Sequence, residues 1–229
     1  MKDLILAGLF SVFAASAFAN EHDHGHGDHG DIVGEAEGGA IEVETGMPLA
    51  GGGRLFEADF GDFALGTYAT NAPGFEVEDG PFGAFDFLAY NMQSDLKSWD
   101  GISWVTSSNS LFSIENDYES PTLQPFAKGM IGQADDDGGV HTHIDFFIDP
   151  NAAVGAYLIE FILEGYTDNA LQSSNGYSSD SVFIAFNNGL SSEDYEFGID
   201  AMSPVPVPAA AWLFVSGLAG LAGLRKARK

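Results

Sequence analysis

The sequence predicts an all-β protein whose central part folds as a single jelly-roll-like β-sandwich. Short runs of β-branched and aromatic residues are separated by clusters of Gly, Asn, Asp, Ser and Pro, at intervals typical of sandwiches. The 19 Phe and 29 Gly residues favour aromatic cross-strand packing and many turns. No long amphipathic helix is evident between the two ends of the chain. We therefore expect a sandwich domain over residues 54–203.

Five segments carry the clearest strand patterns, and most are bounded by turn-forming residues. The run from Val154 to Leu163 is the strongest, because it is long and rich in β-branched and aromatic residues. A short helix is expected near Ser191–Phe197, with Ser192 as its N-cap. In chain order the predicted strands are 54–60, 84–90, 144–148, 154–163 and 181–186.

The N-terminal segment, residues 1–19, has the pattern of a secretory signal peptide. Lys2 precedes an apolar run from Leu4 to Phe13, and Ala17-Phe18-Ala19 forms a small-x-small cleavage site. The sequence therefore predicts export from the cytoplasm.

The C-terminal segment, residues 204–229, is predicted to contain a transmembrane helix. Residues 207–224 carry no charge, which is about the minimum length for a membrane span. Four basic residues follow at once and place the C-terminus in the cytoplasm by the positive-inside rule. Before any processing, the protein is thus expected to be anchored in the inner membrane.

A Pro-containing motif lies at the start of this tail and consists of Val205, Pro206, Val207, Pro208 and Ala209. With this motif, its apolar segment and its basic end, the whole tail resembles the PEP-CTERM sorting signal in its VPxPA form. The resemblance implies recognition by an exosortase-type membrane protease. It also implies a destination in the periplasm, at the cell surface or in the extracellular matrix of a Gram-negative bacterium.

Residues 20–53 are rich in Gly, Glu and His and are expected to form a flexible segment. The stretch 21–31 holds four His and four acidic residues, and its interspersed Gly residues allow the backbone to wrap around an ion. Imidazole donors favour Zn, Cu and Ni over Ca and Mg. This stretch is called the His tract below, and its candidate ligands are His22, His24, His26 and His29.

A second candidate metal site is the His-x-His-x-Asp pattern of His141, His143 and Asp145. On a β-strand, residues two apart share a face, so the three side chains would project together. Ile144, Phe146 and Ile148 would then face the core. The alternative is an exposed polar strand face beside an acidic turn.

An extracellular matrix or adhesion module that binds polysaccharide is the alternative to a metal-binding protein. Trp99 and Trp104, with Asp100 and Asn109, could form a sugar-stacking platform or could simply be packing residues. The acidic loop 135–137 would provide carboxylates for calcium.

Six short motifs are spread over residues 54–200, at 56–63, 71–75, 131–135, 141–143, 153–157 and 186–190. Through these motifs the chain resembles a set of PEP-CTERM proteins described as Zur-repressed, which are made when zinc is scarce. The resemblance implies a role in zinc capture or homeostasis and implies no catalytic activity.

The net charge of the chain bears on which partners the protein can bind. The formal net charge is −26, and only Arg54, Lys97 and Lys128 are basic between the two ends. Such a surface attracts cations and repels nucleic acid, so no nucleic-acid partner is expected.

The chain has no Cys, which excludes thiolate ligands. No G-x-S-x-G or H-E-x-x-H motif occurs, so an enzyme is not expected.

Overall fold

The structure is a computed structural model that describes residues 30–61, 66–78, 82–116 and 127–202. The predicted signal peptide, the four histidines of the His tract, and the predicted sorting tail lie outside these residues. Within the described ranges, no helix is both long and apolar enough to cross a bilayer.

The described part of the chain is all-β, with sixteen strands, one single-turn 3₁₀ helix (Asn109–Leu111) and one short α-helix. The prediction of an all-β protein is confirmed at this level. The elements are β1 (Ile32–Glu37), β2 (Ala40–Val43), β3 (Met47–Pro48), β4 (Arg54–Asp59), β5 (Ala69–Thr70), β6 (Phe75–Val77), β7 (Phe87–Met92), β8 (Lys97–Trp99), β9 (Trp104–Thr106), β10 (Phe112–Glu115), β11 (Lys128–Gln133), β12 (Val140–Thr142), β13 (Asp145–Ile148), β14 (Gly155–Tyr166), β15 (Ser174–Ser179), β16 (Val182–Asn188) and α1 (Ser192–Asp200).

The longest strand, β14, is the hub of a 13-stranded sheet. Its first half pairs with β16 on one side and β8 on the other, and its second half pairs with β15 and β7. From β15 the sheet continues through β2, β1 and β6 to β12. β12 is therefore the last strand at one end of this path, and that end carries the candidate site described below.

A separate three-stranded sheet, in the order β10-β13-β5, packs against the large sheet. Phe112 of β10 and Phe146 of β13 each place their ring centroid 5.1 Å from that of Phe186 on β16. Phe60 stacks on the same ring at 5.2 Å. These Phe rings join the two sheets through one apolar core.

The five strands predicted from sequence are present, with their ends shifted by a few residues. The alternation in β13 is also as predicted, because Ile144, Phe146 and Ile148 are buried. The helix is confirmed, but its N-cap is Ser191 rather than Ser192. Ser191 has extended backbone angles, and its hydroxyl oxygen accepts a hydrogen bond from the Asp194 N–H at 3.2 Å.

Residues 30–53, expected to belong to a flexible segment, contribute β1, β2 and β3 to the large sheet. Ile32, Ala36 and Ile41 are buried in the main core. The apolar alternation of these strands is hidden in the sequence by the Gly and Glu residues around it. The ordered sheet therefore begins well before residue 54.

Candidate metal centre

The candidate metal centre lies where β1, β6 and β12 run side by side. β6 is parallel to β1 and antiparallel to β12, and Phe75 of β6 is opposite both Ile32 and Thr142. Because β1 and β6 are parallel, Asp31, which precedes Ile32, lies beside Gly74, which precedes Phe75. Because β12 and β6 are antiparallel, His143, which follows Thr142, also lies beside Gly74. The strand register therefore brings Asp31 and His143 to the two sides of Gly74.

Asp31, His141 and His143 each offer one ligand atom, and these atoms all lie within 4.8 Å of one another. The two imidazole ring centroids are 6.0 Å apart. Donor atoms around a tetrahedral zinc ion at 2.0–2.2 Å are about 3.3–3.5 Å apart. Both histidines are exposed, so small side-chain rotations can close this difference without moving the strands.

Gly74 forms the floor of the cluster. Its backbone N–H donates a hydrogen bond to Asp31 Oδ1 at 3.1 Å, and its carbonyl accepts one from the Ile32 N–H at 2.9 Å. A Cβ atom at this position would lie 2.7 Å from both Asp31 Oδ1 and His143 Nε2 and 2.5 Å from His143 Cε1. Any side chain here would displace both groups from these positions.

The backbone of Asn71 fixes the tautomer of His143. Its carbonyl oxygen lies 2.9 Å from His143 Nδ1. A carbonyl can only accept a hydrogen bond, so Nδ1 is the donor, and in the neutral imidazole Nε2 is then the nitrogen with a free lone pair. Nε2 is the atom that faces Asp31 across Gly74. The Asn71 carbonyl is the kind of outer contact that orients a zinc-binding imidazole and selects Nε2 as its ligand atom.

His141 has a similar but looser outer partner. Its Nδ1 lies 3.8 Å from Glu76 Oε2, beyond hydrogen-bond distance, and the two residues are register partners on β12 and β6. Their side chains are 65% and 44% exposed, so both are free to move toward a bound ion. A carboxylate in this position can orient a metal-bound imidazole and raise its basicity.

Asp145, the third member of the sequence pattern, is placed apart from this cluster. β12 ends at Thr142, and the chain then passes to the three-stranded sheet, where Asp145 begins β13 opposite Glu115. Among the described residues, the group that could hold a metal contains Asp31 and not Asp145. Because β12 ends at Thr142, the expectation that alternate residues share one face of a strand does not extend to Asp145.

The acidic loop after β11 lies beside the cluster. Asp135 Oδ1 accepts hydrogen bonds from the backbone N–H groups of Asp137 at 2.9 Å and Gly139 at 3.0 Å, which closes the turn. Asp135 also lines an open pocket together with Glu76 and His141. The Asp135 carboxylate thus holds the turn that leads into β12.

Trp99 and Trp104, the candidate sugar platform, pack in a smaller core cluster against α1. Their ring centroids are 5.6 Å apart, and the Trp104 indole N–H donates to the Gly198 carbonyl at 3.0 Å. Asn109 accepts a hydrogen bond from the Leu96 N–H and donates one to Asp95. Both rings are half-buried, and their main contacts attach the helix to the sheet.

Three contributors to the cluster were not predicted as site residues. Asn71 and Gly74 belong to the stretch 71–75 on which the family resemblance rests, but that resemblance gave them no metal role. Glu76 joins the cluster through the register of β6 with β12. Asp31 was visible as the last residue of the His tract, but its pairing with His141 and His143 depends on the sheet topology. Comparison with known protein families, with curated proteins and with solved structures finds no match to this chain.

Proposed function

We propose that this chain is an exported protein that binds zinc through Asp31, His141 and His143, for zinc capture or homeostasis in the cell envelope. One observation carries the proposal. Two imidazoles and a carboxylate from distant parts of the sequence converge within 4.8 Å, on outer contacts that hold two of them in place.

The donor set favours zinc among the common divalent ions. Imidazole nitrogen with carboxylate oxygen suits Zn, Cu and Ni, whereas Ca and Mg prefer all-oxygen sites. Three protein ligands leave zinc an open coordination position, as in sites whose zinc exchanges ligands. An exposed site of this kind fits capture and release better than permanent structural binding.

The location is part of the proposal and rests on the sequence patterns at the two ends. The signal peptide at residues 1–19 would export the chain. The tail at residues 204–229 would anchor it until an exosortase-type enzyme acts on the motif beginning at Val205. In this proposal the domain has jelly-roll-like connectivity, and its acidic surface concentrates cations around the site.

Isothermal titration of the full chain with Zn²⁺, in a neutral detergent at pH 7.5, tests the proposal. We expect saturable zinc binding. The double variant His141→Ala/His143→Ala should lose its tightest site. Asp31→Asn, which keeps an oxygen for the Gly74 N–H, should weaken binding by about tenfold or more, because a charged ligand becomes neutral.

Asp145→Asn is the matched control, since the sequence pattern alone would make Asp145 a ligand. It should bind zinc as the parent does. Unchanged zinc binding in the double histidine variant would refute the proposed site. Binding of Ca²⁺ alone would instead favour the polysaccharide-binding matrix module, with the acidic loop 135–137 as its calcium site.

A further inference from the structure

A polar pocket with a volume of about 380 Å³ lies beside the junction of β15 and β16. These two strands follow one another along the side of β14 that is opposite to β7. At the junction the outer neighbour changes, because β15 pairs with β2 whereas β16 pairs with β4. The pocket lies where one neighbour replaces the other, and it is lined by residues 40–43, 53–54 and 178–181.

The backbone at the start of β4 fixes Arg54 in the wall of this pocket. The Arg54 N–H donates a hydrogen bond to the Ser181 carbonyl at 3.0 Å. Gly53 has a φ of 85°, and a Cβ atom there would lie 2.1 Å from the same carbonyl oxygen. Backbone therefore packs directly against backbone at this point, and the Arg54 side chain starts from an ordered part of the sheet.

Arg54 differs from the other two basic residues in the middle of the chain. Lys97 Nζ lies 3.7 Å from Glu160, and Lys128 Nζ lies 3.1 Å from Glu164, so each lysine has a carboxylate partner. Arg54 forms no ion pair with the part of the chain that the structure describes, although the sequence has 34 acidic residues. Its guanidinium makes one long hydrogen bond, of 3.4 Å, to a backbone carbonyl. Most of its N–H donors remain available to a ligand.

The groups around Arg54 indicate which ligand the pocket can hold. A guanidinium is a planar fork of N–H donors that matches a carboxylate through two parallel hydrogen bonds. Glu42, Asp180 and Ser178 line the same pocket and are exposed, so their polar atoms can contact a ligand. The two carboxylates accept hydrogen bonds from hydroxyl groups and repel further anionic groups. The pocket thus suits a ligand with one carboxylate among several hydroxyl groups.

We propose that this pocket binds a uronic acid residue of an acidic polysaccharide. The sugar carboxylate pairs with Arg54, and ring hydroxyl groups donate to Glu42 and Asp180. The volume lies within the range of about 300–1,000 Å³ that is typical of small-molecule sites. The exposed side of the pocket lets neighbouring sugar residues continue into solvent. This site is separate from the metal centre and does not depend on zinc.

Saturation-transfer NMR with the methyl glycoside of glucuronic acid tests this inference. The full chain is used in neutral detergent with a chelator, as the His141→Ala/His143→Ala variant, so that no bound metal recruits the sugar carboxylate. Salt at about 0.15 M screens the long-range repulsion between the acidic chain and the anion. We expect saturable binding of the glucuronide. Methyl glucoside, which lacks the carboxylate, should bind at least about tenfold more weakly.

Two substitutions at Arg54, added to that variant, locate the binding. Arg54→Gln and Arg54→Lys should each weaken glucuronide binding by about tenfold or more, since an ammonium lacks the planar pair of donors. Lys128→Gln is the matched control, because it removes one positive charge from β11, outside the pocket, and it should bind as the parent does. Denaturant unfolding verifies that each variant is folded.

Several results would overturn this site. These are the absence of glucuronide binding, equal binding of the glucoside, parent-like binding in either Arg54 variant, and an equal loss in Lys128→Gln. The last result would mean that net charge rather than Arg54 governs the binding. None of these results bears on zinc binding, which is measured separately.

Discussion

At the scale of single residues, Gly74 is the position on which the candidate metal centre depends most. Its backbone N–H donates to Asp31 Oδ1, and a Cβ at this position would lie only 2.5–2.7 Å from atoms of Asp31 and His143. We predict that Gly74→Ala weakens zinc binding by about 10–100-fold, because both ligands must move away from the added methyl group. Titration with Zn²⁺ measures the change.

Gly51→Ala provides the control for this substitution. Gly51 has nothing within 4 Å of its Cβ position and lacks the positive φ that would make alanine unfavourable. Its zinc affinity should match that of the parent. Parent-like binding by Gly74→Ala as well would mean that the ion does not sit between Asp31 and His143.

Residue types alone identified part of this site. The spacing of His141 and His143 indicated a shared face, and the structure brings their rings together. The pattern could not indicate Asp31, because that residue joins them through a parallel pairing of β1 with β6. Pairings between distant strands leave no local signal in the sequence. The same reason explains why the Asn71 carbonyl and Gly74 were not found.

At the scale of secondary-structure elements, β14 combines core packing with a polar network at its C-terminal half. Glu164 accepts hydrogen bonds from the Tyr166 hydroxyl at 2.6 Å and the Asn91 amide at 3.2 Å, and its carboxylate is 3.1 Å from Lys128 Nζ. Lys128 Nζ also donates to the Tyr166 hydroxyl oxygen. This network links β14, β7 and β11.

This network makes the free energy of unfolding depend on pH. Burial raises the pKa of Glu164, but the hydrogen bonds from Tyr166 and Lys128 outweigh burial and leave that pKa below its usual value. A depressed carboxyl pKa adds stability above the unfolded pKa of about 4.3 and loses it as the pH falls through the folded pKa. We predict that Glu164→Gln lowers the free energy of unfolding by about 1–2 kcal/mol at pH 7.

Denaturant unfolding at pH 7 and at pH 3 measures this effect. The difference between the parent and Glu164→Gln should be smaller at pH 3 than at pH 7, because a depressed carboxyl pKa loses its contribution to stability as the pH falls below the unfolded pKa. Glu37→Gln, on an exposed position of β1, should leave the unfolding curve unchanged at both pH values. An equal deficit of Glu164→Gln at both pH values would contradict the assigned role of the charge.

Strands were predictable from sequence where their own residues bury an apolar face. β4, β13, β14 and β16 do so, and all were expected. β15 has the sequence SNGYSS and buries none of its residues fully. It is a strand because it hydrogen-bonds with β14 and β2. Short strands such as β6 and β12, with three residues each, are likewise defined by their neighbours.

At the scale of the whole molecule, charge and topology act together. The chain carries a formal net charge of −26, and two of the three basic residues in its middle are paired with acids on β14, at Glu160 and Glu164. The third, Arg54, donates to the Gly46 carbonyl. The remaining acidic surface attracts cations, and the topology places a nitrogen-rich donor set at one end of the large sheet.

Anomalous diffraction from crystals of the zinc-loaded chain, recorded on both sides of the zinc absorption edge, tests the central claim most directly. The account predicts a strong peak about 2.0–2.2 Å from Asp31 Oδ1 or Oδ2, His143 Nε2 and a ring nitrogen of His141. A peak elsewhere, with these three side chains unligated, would contradict it.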